Sequence, residues 1–179
     1  SWTKNNEADI PSVKLEHLTF SYPAREEPIL QDISLKIARG EVVGIVGLSG
    51  SGKTTLCYCI SGVIPRIYKG KIDGHIILNG KNIRGIELGK IAKMLGIVFQ
   101  NPETQLFFPV VEDEIAFGPE NLCLEREEIG KRIKKALAVV GITEKRENNP
   151  HQLSGGEKQL VALASVLGLE PDILIFDEA

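Results

Sequence analysis

A phosphate-binding loop is predicted at residues 47–54, because the chain fits the pattern G-x-x-x-x-G-K-[ST] from Gly47 to Thr54. Glycines let the backbone curve around an anion, so that successive amide N–H groups point at phosphate oxygens. Lys53 is placed to reach the outer phosphates, and the Thr54 hydroxyl can ligate Mg²⁺. The pattern predicts that the chain binds a nucleoside triphosphate. The residues expected to contact it are Gly47, Ser49, Gly50, Ser51, Gly52, Lys53, Thr54 and Thr55.

Two carboxylates, Asp177 and Glu178, directly follow the apolar run at residues 173–176. Side chains at the carboxyl end of a buried parallel strand lie where ligands bind in open α/β folds. Asp177 suits Mg²⁺, directly or through water, while Glu178 suits orienting or deprotonating an attacking water. The alternative is a pair of exposed acids that close a strand. With the phosphate loop in the same chain, hydrolysis is the favoured interpretation.

A third segment, residues 153–159, reads LSGGEKQ. Ser154, Gly155 and Gly156 crowd the start of a predicted helix with backbone N–H groups and one hydroxyl, which would make a second anion site. An ordinary helix cap explains the same residues equally well, with Ser154 as N-cap and Glu157 three residues later. A second phosphate site in one chain requires either two nucleotides or a second copy of the chain.

Composition restricts the function classes. The 179 residues are 42% hydrophobic and 25% charged, with a net charge of −3, so no overall basic field favours nucleic acid. No apolar run approaches the ~20 residues of a membrane span, and no signal peptide is visible. Direct membrane insertion is therefore not expected, and any membrane role must come through a partner. The three cysteines lack metal-binding spacing and suggest a reducing compartment.

Strands and helices alternate along the rest of the chain, which predicts an α/β fold. The apolar run at 42–46 is expected to be the strand that enters the phosphate loop, and residues 54–61 the helix that leaves it. Asn79-Gly80 predicts a hairpin turn. Further strands are predicted at 13–22, 33–37, 94–99 and 173–176, and further helices at 111–121, 125–140 and 156–167.

The phosphate loop, Gln100, LSGGEKQ and the final ILIFDEA together resemble the nucleotide-binding domains of ATP-binding cassette (ABC) proteins, in the family's order, from Val13 onward. The resemblance implies a P-loop NTPase fold with a mostly parallel core sheet, an N-terminal antiparallel β subdomain and a helical signature subdomain. It implies a single ABC domain over residues 1–179, with an N-terminal extension at about 1–12 and the helical subdomain at about 101–156.

The same resemblance implies roles for individual residues. Lys53 and Thr54 match the Walker A site, Asp177 and Glu178 the Walker B site, and Gln100 the Q-loop, which senses Mg²⁺ and the γ-phosphate. Family members pair head to tail around two ATP molecules, so Ser154, Gly155 and Gly156 of one copy are expected to meet the γ-phosphate held by the other. The implied cofactors are ATP and Mg²⁺. The implied catalytic residues are Lys53, Gln100 and Glu178, and the implied metal ligands are Thr54, Gln100 and Asp177.

Tyr22 matches the aromatic residue that stacks on adenine in such domains. Stacking of a base on an aromatic ring is worth ~1–3 kcal/mol in single-stranded nucleic-acid binding, which is a useful analogue. The alternative is a tyrosine at a strand end that packs locally.

The segment after Gln100 is similar to the ATPases of energy-coupling factor (ECF) importers, including cobalt and nickel systems. Its loop holds an apolar cluster, which is unusual for a loop that faces only water. In the family this region receives a coupling helix of a membrane subunit, so docking is expected between Leu106 and Val111. Alternatively, the cluster forms the small core of the helical subdomain, and both can hold. The cluster consists of Leu106, Phe107, Phe108 and Val110.

The leading hypothesis is an ATPase subunit that powers an ECF-type importer of vitamins or metal ions as a homo- or heterodimer. It would lie at the cytoplasmic face of the cell membrane as a peripheral protein, without nucleic acid. A soluble ABC ATPase of DNA repair or translation is one alternative. A nucleotide-binding module without efficient hydrolysis is another.

The sequence ends at Ala179, where family members continue with a D-loop, a switch histidine and a further strand between the Walker strands. We therefore expect a chain that is truncated after Walker B, with exposed apolar edges and a distorted sheet. Such a piece alone is expected to hydrolyse ATP weakly or not at all.

Overall fold

A computed structural model describes residues 10–23, 25 and 27–177. The chain forms two compact units, Ser1–Met94 and Leu95–Ala179, which we describe separately. Glu178 and most of the predicted N-terminal extension lie outside the described residues. The single domain over residues 1–179 and the helical subdomain at 101–156 remain predictions.

The first unit contains a four-stranded antiparallel sheet in the order β2-β1-β3-β4. Residues Val13, Leu15, Leu18 and Phe20 of β1 are buried, and the pairing shifts register between Leu15 and Leu18. This irregularity adds one residue, His17 (φ 51°), so that apolar side chains before and after it share one face. The predicted antiparallel subdomain is present. Its strands are β1 (Val13–Ser21), β2 (Leu30–Ile37), β3 (Lys71–Leu78) and β4 (Lys81–Asn82).

The hairpin between β3 and β4 forms as predicted. Asn79 and Gly80 have φ values of 46° and 77°, and a two-residue turn needs positive φ at both positions to match the twist of its strands. The helices of this unit are α1 (Lys53–Ile60), α2 (Val63–Arg66) and α3 (Leu88–Ala92).

The strand predicted at residues 42–46 does not form. Residues 41–48 have no regular structure, and the side chains of Val42 and Val46 are 97% and 95% exposed. A strand is held by hydrogen bonds to a neighbouring strand. Among the described residues, this segment belongs to neither sheet. The prediction was wrong because an apolar run indicates what a segment can bury, not which strand pairs with it.

The second unit contains a parallel pair, β5 (Leu95–Val98) and β6 (Ile173–Phe176), in the register Val98 opposite Phe176. The sequence predicts β6 to be covered on both faces, yet Leu174 and Phe176 are exposed. Side chains alternate between the two faces of a strand, and these two point to the face that the described residues leave open. The sequence predicts that apolar side chains are left exposed at the edges of the sheet. Such exposure is observed at Val42 and Val46 in the first unit and at Leu174 and Phe176 in the second.

Three helices pack into one core in the second unit, and helix α5 begins and ends as its sequence predicts. Glu125 precedes its first turn, and Gly141 (φ 75°) follows its last. Ile133 and Leu137 of the predicted apolar stripe are fully covered. No helix of the described residues is both long and apolar enough to span a membrane. The helices are α4 (Val111–Asn121), α5 (Arg126–Val140) and α6 (Gly155–Gly168), with single 3-10 turns at Pro102–Thr104, Thr143–Lys145 and Pro150–Gln152.

Candidate nucleotide-binding site

The phosphate loop of the first unit is a tight curve that its glycines permit. Gly50 and Gly52 have φ values of 79° and 97°. A Cβ atom on Gly52 would lie 3.0 Å from the carbonyl oxygen of Ile29, and one on Gly47 would lie 2.8 Å from Oγ of Ser51. The positive φ values of Gly50 and Gly52, together with the close approach of the Ile29 carbonyl to Gly52, therefore favour glycine along this path.

Lys53, the first residue of α1, folds back over this loop. Its Nζ donates hydrogen bonds to the carbonyl oxygens of Gly47 and Leu48, at 3.0 and 3.1 Å. The ammonium group thus lies against the loop that the sequence assigns to the triphosphate, where a polyphosphate requires positive charge.

The start of α1 adds a second favourable feature for an anion. The N-cap residue Gly52 has no side chain that could cap the first amides of the helix, and the first turn contains no acidic residue. The helix dipole and the amides of this first turn favour negative charge there. Thr54 is exposed in the same turn, as a residue that ligates Mg²⁺ beside phosphate must be. The backbone amides, the Lys53 ammonium and the Thr54 hydroxyl of residues 47–54 fit a bound magnesium–triphosphate.

Tyr22 lies beside this helix. Its Oη is 3.3 Å from Oγ1 of Thr55, and its ring packs edge to face against Phe20, with the ring centroids 4.8 Å apart. The local packing that the sequence left open is therefore present, and it places Tyr22 next to the helix that follows the phosphate loop. Thr55 is buried. Ser49 and Ser51 are exposed.

In the second unit, Gln100 and Asp177 follow neighbouring parallel strands. The amide of Asp177 donates to the carbonyl oxygen of Val98 at 3.0 Å, which extends the pairing of β5 with β6 by one step. Asp177 is buried and Gln100 is exposed. Both residues thus lie at the carboxyl edge of the strand pair, where ligands bind in such sheets.

The segment LSGGEKQ begins α6, and Ser154 caps the helix as one of the two interpretations predicts. Oγ of Ser154 accepts from the amide of Glu157 at 3.3 Å, while Oε2 of Glu157 accepts from the amide and the hydroxyl of Ser154 at 2.9 and 2.8 Å. Oε1 of Glu157 also pairs with Lys145 at 3.0 Å. Three hydrogen bonds lower the pKa of Glu157 to about 2. The largest contribution comes from the backbone amide of Ser154, followed by the Ser154 hydroxyl and then by Lys145.

Gly155 and Gly156 require a different explanation. A Cβ atom on either would meet nothing within 4 Å, and neither has a positive φ. Glycine costs a helix about 0.5–1 kcal/mol relative to alanine. Neither steric crowding nor backbone conformation in the described residues accounts for these two glycines. The helix cap and a second anion site are therefore compatible.

The apolar cluster of the loop at residues 99–110 divides between core and surface. Leu106 is buried in the helical core, as the core interpretation predicts. Phe107 is 73% exposed, and the ring of Phe108 packs against Phe117 of α4, with centroids 5.1 Å apart. Leu106 is thus a core residue, whereas Phe107, Phe108 and Phe117 form what we call the aromatic patch.

Three polar side chains that the sequence analysis did not single out hold this loop. Glu114 is buried and accepts hydrogen bonds from two loop amides, Gln105 bonds to the end of β5, and Glu103 pairs with Lys158 of α6. The acidic residues near the start of α4 are also explained by the helix dipole, so the sequence does not indicate that one of them is buried.

Cys59 of α1 is also buried, and this burial raises the pKa of its thiol to about 12.

Comparison with known proteins agrees with these features. The family model described as ABC transporter matches residues 30–179. An ABC transporter ATP-binding protein of Methanosarcina acetivorans, itself described as putative, is 45% identical over 166 residues, which are 93% of this chain and 26% of the relative. The energy-coupling factor transporter ATP-binding protein EcfA of the same organism is 45% identical over 172 residues, or 93% of this chain and 59% of that protein.

Among solved structures, cbiO1 from Clostridium perfringens, part of the ABC transporter complex cbiONQ, matches with a TM-score of 0.81 and 36% identity. The match covers 94% of this chain and 65% of cbiO1. The chain therefore spans between about a quarter and two thirds of the length of these proteins. The α/β P-loop fold with an N-terminal antiparallel sheet is confirmed. The chain belongs to the ABC transporter family of ATP-binding domains, and its relatives include ECF-type ATPases.

Proposed function

We propose that the whole protein binds and hydrolyses ATP to power an ECF-type importer of vitamins or metal ions. One observation carries this proposal: the glycine-rich loop that leads into α1 curves tightly, and the Lys53 ammonium donates hydrogen bonds to two of its carbonyl oxygens. The similarity to EcfA and to cbiO1 supports the ECF type.

In this proposal each residue has a defined task. The amides of residues 47–54 and the Lys53 ammonium hold the outer phosphates, and Tyr22 stacks on adenine. Thr54, Gln100 and Asp177 hold Mg²⁺, which when bound neutralises charge on the reacting phosphates. Glu178 accepts the proton of the attacking water. Lys53, Gln100 and Glu178 are thus the proposed catalytic residues.

A second copy of the domain, identical or related, is needed in this proposal to complete each site. Gly155 and Gly156 leave open space at the start of α6, next to the hydroxyl of Ser154. Bare backbone at a helix start admits the oxygens of a phosphate that a partner domain holds. This arrangement accounts for two glycines that packing among the described residues does not require.

The membrane subunit of the importer docks, in this proposal, on the aromatic patch next to Val111. Phe107 and Phe117 are both exposed apolar side chains, and such a patch commonly marks a contact with a partner. The protein would then work at the cytoplasmic face of the cell membrane, attached through that subunit.

Affinity purification of the full-length protein from membranes tests the proposal. We expect a membrane subunit to be retained and its removal to abolish ATP-driven uptake. The alternative of a DNA-repair or translation ATPase predicts retention of DNA or ribosomes instead. ATP turnover by the full-length protein and by residues 1–179, compared side by side, tests whether the shorter chain is only a binding module.

A further inference from the structure

The loop at residues 99–110 joins β5 to α4 and has a proposed functional residue near each end. Gln100 stands at its start, and Phe107 and Phe108 of the aromatic patch stand near its end. The only regular structure within it is the 3-10 turn Pro102–Thr104. Backbone hydrogen bonds of a helix or sheet do not fix most of this connection. If both ends keep a defined position, side chains must hold them.

Gln105 fixes the start of the loop. Its Oε1 accepts from the amide of Phe99 at 2.9 Å, and its Nε2 donates to the carbonyl oxygen of Ile97 at 3.2 Å. The side-chain amide therefore acts like an additional short strand beside the end of β5, directly before Gln100. Only a side chain with both a donor and an acceptor can make this pair of bonds.

Glu114 fixes the end of the loop. Its Oε2 accepts hydrogen bonds from the amides of Phe107 and Phe108 at 2.8 and 2.9 Å, while the residue is only 5% exposed. These bonds hold the backbone inward and leave the two aromatic rings on the outer side. Burial of a carboxylate is costly unless it is hydrogen-bonded, so an apolar residue would be the simpler choice for a core position alone.

The middle of the loop is attached to helix α6. Glu103 pairs with Nζ of Lys158 at 2.5 Å, and the Lys158 side chain is only 14% exposed. The loop is therefore held by one side chain at each end and by one ion pair between them.

We propose that Gln105 and Glu114 are positioning residues: Gln105 holds the backbone directly before Gln100, and Glu114 holds the backbone that carries Phe107 and Phe108 of the aromatic patch. This inference rests on the proposed function, because it assumes a membrane subunit at the patch. It adds two residues that touch neither nucleotide nor metal and act through the loop backbone.

Glu114 is tested by the affinity of the full-length protein for its membrane subunit in nanodiscs. Glu114→Ala should weaken that affinity at least about tenfold, whereas Glu114→Gln, whose carbonyl oxygen still accepts, should retain most of it. Glu120→Gln, an exposed position on the same helix, is the matched control. Phe107→Ala should weaken docking without altering ATP affinity. Wild-type affinity in Glu114→Ala overturns the proposal.

A loss of folding in Glu114→Ala does not leave the question open, because amide hydrogen exchange in the wild-type protein provides a second measurement. The amides of Phe107 and Phe108 should exchange slowly, as hydrogen-bonded amides do. If both exchange at the rate of unprotected amides, the role of Glu114 is overturned without any variant.

Gln105 is tested by turnover, since it acts at the end that carries Gln100. Gln105→Glu keeps the size and one acceptor but loses the donor to Ile97, and should lower kcat with the membrane subunit about tenfold with little change in KM for ATP. Gln31→Glu adds the same charge at an exposed position of β2 and should leave kcat unchanged. Equal kcat in Gln105→Glu and wild type overturns the proposal. If the wild-type protein itself neither binds a membrane subunit nor hydrolyses ATP, the proposed function fails instead.

Discussion

The carboxylate of Glu157 accepts hydrogen bonds from both the backbone amide and the hydroxyl of Ser154, at 2.9 and 2.8 Å. The hydroxyl proton of Ser154 therefore points at its own chain. A phosphate oxygen that takes this proton must replace the carboxylate as its acceptor, while Lys145 continues to hold the other oxygen of Glu157. The same residues that cap α6 thus set the position of the hydroxyl proposed to meet a nucleotide.

The pH response of this cap follows from the lowered pKa of Glu157, which is about 2 against an ordinary value of 4.5. Ionised Glu157 contributes stability to the start of α6 that is fully present above pH 4.5 and is lost as the pH falls through about 2. NMR titration of its carboxyl carbon should give a low pKa, and Lys145→Ala should raise it. An ordinary pKa near 4.5 would contradict the cap geometry.

Replacement of Lys53 by alanine should weaken ATP binding by about 10–100-fold, since a hydrogen bond from a charged group is worth roughly 1.5–3 kcal/mol. Calorimetry on the full-length protein with Mg²⁺ measures the change. Lys36→Ala, at an exposed position of β2, is the control and should bind as the wild type does. Equal affinity in Lys53→Ala and wild type contradicts the assigned phosphate loop.

The substitution Glu178→Gln should separate binding from hydrolysis in the full-length protein. Loss of a general base lowers turnover by at least ~10²-fold, while the amide leaves ATP bound. Steady-state phosphate release and nucleotide retention on the same sample provide the two measurements. Unchanged hydrolysis would reassign the base to another residue.

Sequence reasoning succeeded where a local pattern determines the outcome. The turn at Asn79-Gly80 and the bounds of α4 follow from backbone preferences and apolar spacing, which act over a few residues. The ABC family itself followed from motifs whose order along the chain is specific.

The failures concern contacts between segments far apart in the sequence. Whether residues 42–46 form a strand depends on a neighbouring strand that offers hydrogen bonds. The apolar pattern of these residues does not reveal whether such a strand is present. Likewise, the sequence pattern at the start of α4 is the same whether an acidic side chain there faces water or is buried. That Glu114 binds two loop amides is set by the fold of the loop, which the helix pattern does not encode.

Gly156→Ala should have opposite effects on stability and on function. Alanine finds open space at this position, so the free energy of unfolding should rise by about 0.5–1 kcal/mol as the unfolded chain loses conformational freedom. If a partner's phosphate approaches this backbone, the same methyl group should block it and lower ATP turnover of the dimer. Gly130→Ala in α5, which also meets nothing within 4 Å, should stabilise without any loss of turnover. Thermal unfolding and steady-state hydrolysis of both variants decide the matter, because a Gly156→Ala protein with wild-type turnover would leave these glycines without the proposed role.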